Sequence, residues 1–228
     1  VIDASRSGVD DRALPSCRVC RQQGCVPFQL IGNLQYWRCL KCEAVFLDQT
    51  HLPDRREELL HYRQHQNDVA DPRYRKFVSR LGDPLLACLP SKSSGLDYGC
   101  GPGPALAAIL REHGHEVATY DPFFNSEAAA LERTYDFIFC SEVIEHFHRP
   151  AEEFDRLDAL LKPGGWLGVM TCFRTDDDRF KDWHYRHDPT HVVFYREETL
   201  RILAHRMGWS CEIPNKDVAI MRKPEAAA

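Results

Sequence analysis

The apolar positions of this chain change period repeatedly along its second half. Residues 95–98 and 115–120 are short runs of strand type, and Phe137-Ile138-Phe139-Cys140 is apolar throughout, as a strand buried on both faces requires. Between them the apolar residues shift to helical spacing. Ala105, Leu106, Ile109 and Leu110 share one face, with Pro104 at the first helical position and Gly114 placed as the stop. Residues 150–161 repeat the arrangement, Pro150 first and Gly164 past the end. Residues 166–171 return to strand spacing, 197–207 to helix, and 209–213 with 218–221 read as a closing antiparallel hairpin. Alternating strands and helices predict an α/β fold. Upstream, residues 53–68 are helix-prone, and a second helix is expected from Pro72 through Tyr74, Phe77, Val78, Leu81 and Leu85, with Gly82 and Pro84 breaking it.

The first 48 residues follow a different rule. Cys17-Arg18-Val19-Cys20 and Cys39-Leu40-Lys41-Cys42 form two C-x₂-C pairs separated by 18 residues, within the spacing of a structural zinc site. The segment between them, residues 27–38, reads as two short strands around Gly32-Asn33. So small a unit cannot bury enough surface to fold unaided, so the metal is expected to be its core. All four ligands lie in closed pairs, which makes the predicted zinc structural. Cys25 is a spare thiol and an alternative ligand; the bland alternative is four reduced cysteines without metal. A redox pair is disfavoured, since thioredoxin-like motifs carry a single C-x-x-C. The expected organisation is a zinc ribbon over residues 1–48, a helical connector or cap over 49–92, and an α/β domain over 93–228.

Composition narrows the picture further. With 228 residues, 43% of them hydrophobic and 28% charged, the chain suits one α/β domain plus a small appendage. No apolar run approaches a membrane span, and the polar first 16 residues lack the core of a signal peptide, so a cytoplasmic location without membrane contact is expected. The net charge of −5 gives no general nucleic-acid signature. Residues 1–80 nevertheless hold 13 Lys+Arg against 10 Asp+Glu, so an anionic partner would meet the front end.

The candidate chemistry begins at Asp97-Tyr98-Gly99-Cys100-Gly101-Pro102-Gly103. Strand, glycine-dense turn and helix leave bare backbone amides, a nucleotide-type site. A dinucleotide fingerprint would need its third glycine at 104, which is Pro104. Asp121 closes the next strand, where an acid can accept hydrogen bonds from ribose hydroxyls. Together with Asp136-Phe137-Ile138-Phe139-Cys140-Ser141-Glu142-Val143-Ile144-Glu145-His146 and Leu161-Lys162-Pro163-Gly164-Gly165-Trp166-Leu167, this run resembles the class I S-adenosylmethionine-dependent methyltransferases.

That resemblance implies a Rossmann-like, seven-stranded mixed sheet with its last strand antiparallel. It implies cofactor contacts at Asp97, Tyr98, Gly99, Gly101, Gly103 and Asp121, and at Cys140, Ser141 and Glu142 near the transferred methyl. Only 14 residues separate Asp121 from Asp136, so the third strand is expected to be shortened or missing. Pro122, Phe123 or Phe124 would then supply an apolar adenine wall. Leading helices of this fold pack over the cofactor, which makes Tyr62, Arg63 and His65 candidates for contact. Similar E-x-x-E-H residues in ubiquinone-pathway O-methyltransferases imply a Mg²⁺-type ion on Glu142, Glu145 and His146. The stretch from Asp182 to His191 follows strand five at the carboxyl edge, where α/β crevices open. His191, His187 and His146 are candidates to take a proton from the methyl acceptor. Three readings stand: a small-molecule O- or C-methyltransferase; an RNA methyltransferase whose ribbon uses Arg18, Arg21, Arg38 and Lys41; and a non-catalytic scaffold.

Overall fold

A computed structural model describes residues 14–64 and 67–226. His65 and residues 1–13 lie outside the described residues. In chain order the strands are β1 (Val26–Ile31), β2 (Leu34–Arg38), β3 (Val45–Leu47), β4 (Ser94–Tyr98), β5 (Glu116–Tyr120), β6 (Tyr135–Ser141), β7 (Leu161–Met170), β8 (Val193–Phe194), β9 (Ser210–Asn215) and β10 (Val218–Arg222). The helices are α1 (Arg55–Tyr62), α2 (Pro72–Leu86), α3 (Ala105–Glu112), α4 (Pro150–Leu160) and α5 (Glu197–Arg206).

The main sheet has six strands in the order β5-β4-β6-β7-β10-β9. β5, β4, β6 and β7 are parallel, while β10 runs antiparallel to both β7 and β9. This is the mixed α/β sheet that the resemblance implied, with six strands rather than seven. The missing strand is the third. Between β5 and β6 the chain makes a tight turn and one short 3-10 stretch, Ala128–Leu131, too little for a strand and its return helix.

Helix α2 runs through both expected breakers to Leu86. Its buried face of Val78, Leu81 and Leu85 packs on α3 and on β7 and β10, and that burial outweighs local propensity. Pro84 removes the donor that would reach the Arg80 carbonyl one turn back, and Asn215 Nδ2 supplies it instead at 3.1 Å. Leu161 to Gly165 begins β7 directly after α4, so the turn expected there is part of a strand.

A second sheet, β1-β2-β3-β8, is antiparallel throughout. Its first three strands belong to the cysteine-bearing segment, and its fourth comes from the stretch after β7. The β1–β2 hairpin turns at Gly32-Asn33, as the sequence predicts. One apolar cluster runs without a break from Cys17, Cys39, Val45 and Phe46 into Phe154, Leu157, Val169 and Leu200. Tyr36, Phe180 and Phe194 meet edge to face at the seam, with centroids 5.0–6.1 Å apart.

Candidate active site

The bend after β4 is held by the neighbouring strand. The amides of Gly99 and Cys100 both donate to the Tyr120 carbonyl, at 2.8 and 3.1 Å. Gly101 N donates to Asp121 Oδ2 at 3.0 Å, while Asp121 Oδ1 accepts from Phe123 N and Phe124 N at 2.8 and 3.0 Å. Gly99 sits at φ +85° with Val143 packed where a side chain would go; an added Cβ would lie 2.5 Å from Val143 Cγ1. At Gly103 an added Cβ would overlap the Asn67 carbonyl oxygen.

Above this bend opens a cavity of about 340 Å³, lined by Gly99 to Pro102, by Pro104 and the start of α3, and by Tyr62, Tyr74, Phe77, Phe124, Ser141, Glu142, His146 and His191. Among the described residues four carboxylates line it, Asp97, Asp121, Glu142 and Asp188, and neither Lys nor Arg does. Asp97 is 4% exposed and forms neither a hydrogen bond nor an ion pair among the described residues. Burial pushes its carboxyl up to about 8, with Arg111 pulling down and Asp121 pushing further up.

A second cavity of about 320 Å³ shares Tyr62, Gly99, Asp121 and His146 with the first. Tyr98, Tyr120, Pro122, Phe123, Val143 and Phe147 give it aromatic and apolar walls. Arg55 of α1 closes one side, with its guanidinium 4.6 Å from the Phe123 ring centre and its NH2 2.7 Å from the Pro122 carbonyl. Tyr98 turns its hydroxyl toward Glu153 and Arg156 on this side.

The far end of the first cavity is built where β6 stops. Glu142 takes φ +55°, a left-handed backbone that costs a non-glycine residue free energy and clusters at functional sites. Tyr185 Oη lies 2.6 Å from Glu145 Oε1, 3.1 Å from Glu142 Oε2 and 3.0 Å from Thr171 Oγ1. Burial pushes Glu142 up to about 7 and Glu145 well above the carboxylate range, the Glu142 charge adding to the latter; the pair therefore holds a proton. Glu145 Oε2 is buried without a hydrogen-bond partner among the described residues.

Two histidines frame this end, their ring centres 4.7 Å apart. His191 Nδ1 is 2.7 Å from the Tyr185 carbonyl and His146 Nδ1 is 3.0 Å from the Thr190 carbonyl. A carbonyl only accepts, so each Nδ1 carries the proton and each Nε2 is the basic nitrogen of the neutral ring. The exposed His187 ring rests against the Lys181 carbonyl at 3.3 Å and does not line the cavity. Cys140 lies fully buried in β6, behind Ser141 and Glu142, which reach the cavity.

Glu145, His146 and His191 bring donor atoms within 4.8 Å of one another, whereas Glu142 is engaged by Tyr185. Two imidazoles and a carboxyl held toward its neutral form do not suit Mg²⁺, which demands an oxygen shell. The Mg²⁺-type site expected on Glu142, Glu145 and His146 has no support in this arrangement.

The sulfurs of Cys17, Cys20, Cys39 and Cys42 all lie within 4.8 Å of one another, with Cys17–Cys42 at 3.6 Å and Cys20–Cys39 at 3.5 Å. A tetrahedral ion with ~2.3 Å metal–sulfur bonds separates its ligands by roughly 3.8 Å, so the donors match in kind and spacing. Hydrogen bonds from Cys25 and Cys42 drive the Cys17 thiol far down; the hydrogen bonds to Cys17 push Cys42 and Cys25 up, and burial lifts Cys20 to about 12. Thiolate, not thiol, is the form that ligates a metal, so a bound cation would favour the ionised form of these cysteines.

Side chains around these knuckles tie them to the rest of the fold. Arg18 reaches the Leu47 and His148 carbonyls, Arg21 pairs with Asp155 and Arg38 pairs with Asp177. Arg174, 1% exposed at its side chain, also pairs with Asp177 and donates to the Glu43 carbonyl at 2.8 Å. Of the four basic residues offered for nucleic acid, only Lys41 forms no ion pair or side-chain hydrogen bond among the described residues.

Tyr185 and Asp188 lie in the stretch singled out from the sequence, whereas His61 belongs to this site without having been singled out for it. Asp188-Pro189-Thr190 carries a turn signature, and nothing local links it to His61, 127 residues away.

A family model described as a methyltransferase domain matches residues 59–212. A ubiquinone biosynthesis O-methyltransferase from Serratia proteamaculans is 33% identical over 81 residues, covering 36% of this chain; the match spans only about a third, 34%, of that relative. Among solved structures, a 1,6-didemethyltoxoflavin-N1-methyltransferase from Burkholderia thailandensis, with its namesake compound and S-adenosylhomocysteine bound, is similar in fold at TM-score 0.51 and 16% identity, covering 87% of this chain and 99% of that one. A sugar N-methyltransferase from Streptoalloteichus gives TM-score 0.53 at 17% identity, covering 73% and 92%.

Proposed function

The chain belongs to the methyltransferase-domain family and is an enzyme of that class; on this premise we propose that it transfers the methyl group of S-adenosylmethionine to an oxygen or carbon nucleophile of a small-molecule acceptor. The observation that carries the reading is a single cavity lined both by the glycine bend with Asp97 and by His146 and His191. The cofactor fits the residues present. The amides of Gly99, Cys100 and Gly101 are spent on Tyr120 and Asp121, so the bare glycines make the cradle by letting the ligand approach, while Asp121 faces the ribose and Asp97 answers positive charge. The second cavity, walled by Tyr98, Pro122, Phe123 and Val143, takes the adenine. S-adenosylmethionine supplies an activated methyl on a sulfonium, so the chain's work is to align and deprotonate the nucleophile. His191 Nε2 accepts that proton, with His146 beside it orienting the acceptor; His187 stands outside the cavity. The four carboxylates in the lining disfavour an acceptor carrying phosphates. We also propose that Cys17, Cys20, Cys39 and Cys42 hold one structural zinc.

Mass spectrometry of cell extract incubated with the protein and isotopically labelled donor tests the transfer and identifies the acceptor. Calorimetry with S-adenosylmethionine tests the site: binding no tighter than weak millimolar would favour the non-catalytic scaffold.

The raised carboxyl of Asp97 gives a pH prediction. Free protein keeps the Asp97 proton up to about pH 8, and the cationic cofactor favours the ionised form, so binding releases a proton. Affinity should therefore climb between pH 6.5 and 8 and level off above, by roughly tenfold per unit at most. Titration calorimetry in two buffers of different ionisation heat should show proton release at pH 7, absent in Asp97→Asn. The same burial makes the free protein lose stability as pH rises from about 4 to 8, because only the unfolded chain has already released that proton.

Gly103→Ala should weaken the cofactor complex by about tenfold or more, because the added methyl displaces the Asn67 backbone from the cavity wall. Equal dissociation constants for the two proteins would count against the cradle as drawn.

A further inference from the structure

Two imidazoles face one carboxylate at the far end of the cavity. His61, in the last turn of α1, sets its Nε2 2.9 Å from Asp188 Oδ2. His191 sets its own Nε2 3.8 Å from an oxygen of the same group, again Oδ2. Asp188 Oδ1 is committed to Thr190, whose N and Oγ1 donate to it at 2.8 and 2.6 Å. Oδ2 is thus the oxygen that both rings address. The neutral His191 turns a lone pair toward it, because its ring proton sits on Nδ1 and goes to the Tyr185 carbonyl. A lone pair stands off from a carboxylate; once protonated, the same Nε2 becomes a donor and is drawn in.

We propose that His61 is a positioning residue for His191: by holding Asp188 Oδ2 it limits how strongly that carboxylate can retain a proton on His191. An imidazole beside an unshared, partly buried carboxylate gains proton affinity, and a base that is already protonated cannot accept a proton from the acceptor. With α1 seated and His61 on Asp188, the carboxylate's charge is divided and His191 stays neutral. The seating of a helix that lines both cavities, through Tyr62 in both and Arg55 and Glu58 in the second, is thereby linked to the readiness of the base.

Among the described residues, the other ionisable groups at this end include Tyr62 and Glu58 of α1, Asp121 across Tyr62, Glu142, Glu145 and His146 after β6, and Tyr185 of the acceptor loop. Tyr185 bonds both glutamates, and the Tyr62 ring lies 5.3 Å from that of His146. These groups remain in the variants below, so a comparison among them isolates the shared carboxylate.

The role assigned to His61 rests on the reading of His191 as the base, but the coupling can be measured without any acceptor. The experiment is an NMR titration of the histidine Cε1–H signals of the full chain saturated with S-adenosylhomocysteine. In His61→Gln the proton affinity of His191 should rise by roughly tenfold, and in Asp188→Asn it should fall by roughly tenfold. A His191 midpoint unchanged in His61→Gln overturns the proposal. Should that variant not fold, an unmoved His191 in Asp188→Asn overturns it equally. With the acceptor in hand, the acid limb of the transfer rate in His61→Gln should move to higher pH by the same factor. A shifted NMR midpoint with an unshifted limb would leave the coupling standing and remove His191 as the base.

Discussion

Replacing Cys39 by serine is expected to release the zinc and lower the melting temperature of the whole chain by roughly 10 °C or more. The reason is position. Cys17, Cys20, Cys39 and Cys42 are each at most 2% exposed and belong to the apolar cluster that includes Phe154, Leu157 and Leu200. Without the ion, four buried sulfurs crowd one another with nothing to bind them, and the β3–β8 pairing, Val45 to Phe194 and Phe46 to Val193, loses its anchor. Zinc binding contributes ~10–16 kcal/mol to isolated finger peptides. Only part of that is lost here, since burial elsewhere remains. A loss of about 4 kcal/mol already corresponds to ~8–16 °C in a chain of this size. Elemental analysis and differential scanning calorimetry check it. Full zinc content in Cys39→Ser would show that Cys39 is not a ligand, and zinc lost with an unchanged melting temperature would show that the fold does not need the ion.

His191→Gln should lower the methyl-transfer rate by ~10²–10⁴ and change cofactor affinity by less than about threefold. Glutamine can still meet the Tyr185 carbonyl with its amide, but it offers no basic nitrogen at the position of Nε2. His187→Gln should leave the rate unchanged, because that exposed ring rests on the Lys181 carbonyl outside the cavity. Single-turnover measurements with the acceptor identified from labelled extract compare the three proteins. Equal losses in both variants would point to a general disturbance of the loop instead of a missing base.

The contact that Arg174 makes with Glu43 and the pairing of Arg38 with Asp177 explain why these two predictions belong together. They join the cysteine-bearing segment to the stretch that carries Tyr185, Asp188 and His191. From the sequence the ribbon reads as a unit of its own, yet β8 completes its sheet from the other end of the chain. A two-residue strand, Val193–Phe194, has no period to detect, and only its partner makes it a strand.

What the sequence determined unaided was everything encoded over a few consecutive residues: the C-x₂-C knuckles, the β1–β2 hairpin at Gly32-Asn33, the Asp97–Gly103 bend opening into α3, and the acid at the end of β5. Spacing and turn chemistry act locally, so they can be read locally. Helix α2 already shows the limit, since burial of Val78, Leu81 and Leu85 carried it past Gly82 and Pro84. What tertiary structure alone decided is the far end of the cavity, where α1, the end of β6 and the loop after β7 converge to set His61, Asp188, His191 and His146 around one another. No spacing along the chain carries that arrangement, because it arises from the packing of segments more than a hundred residues apart.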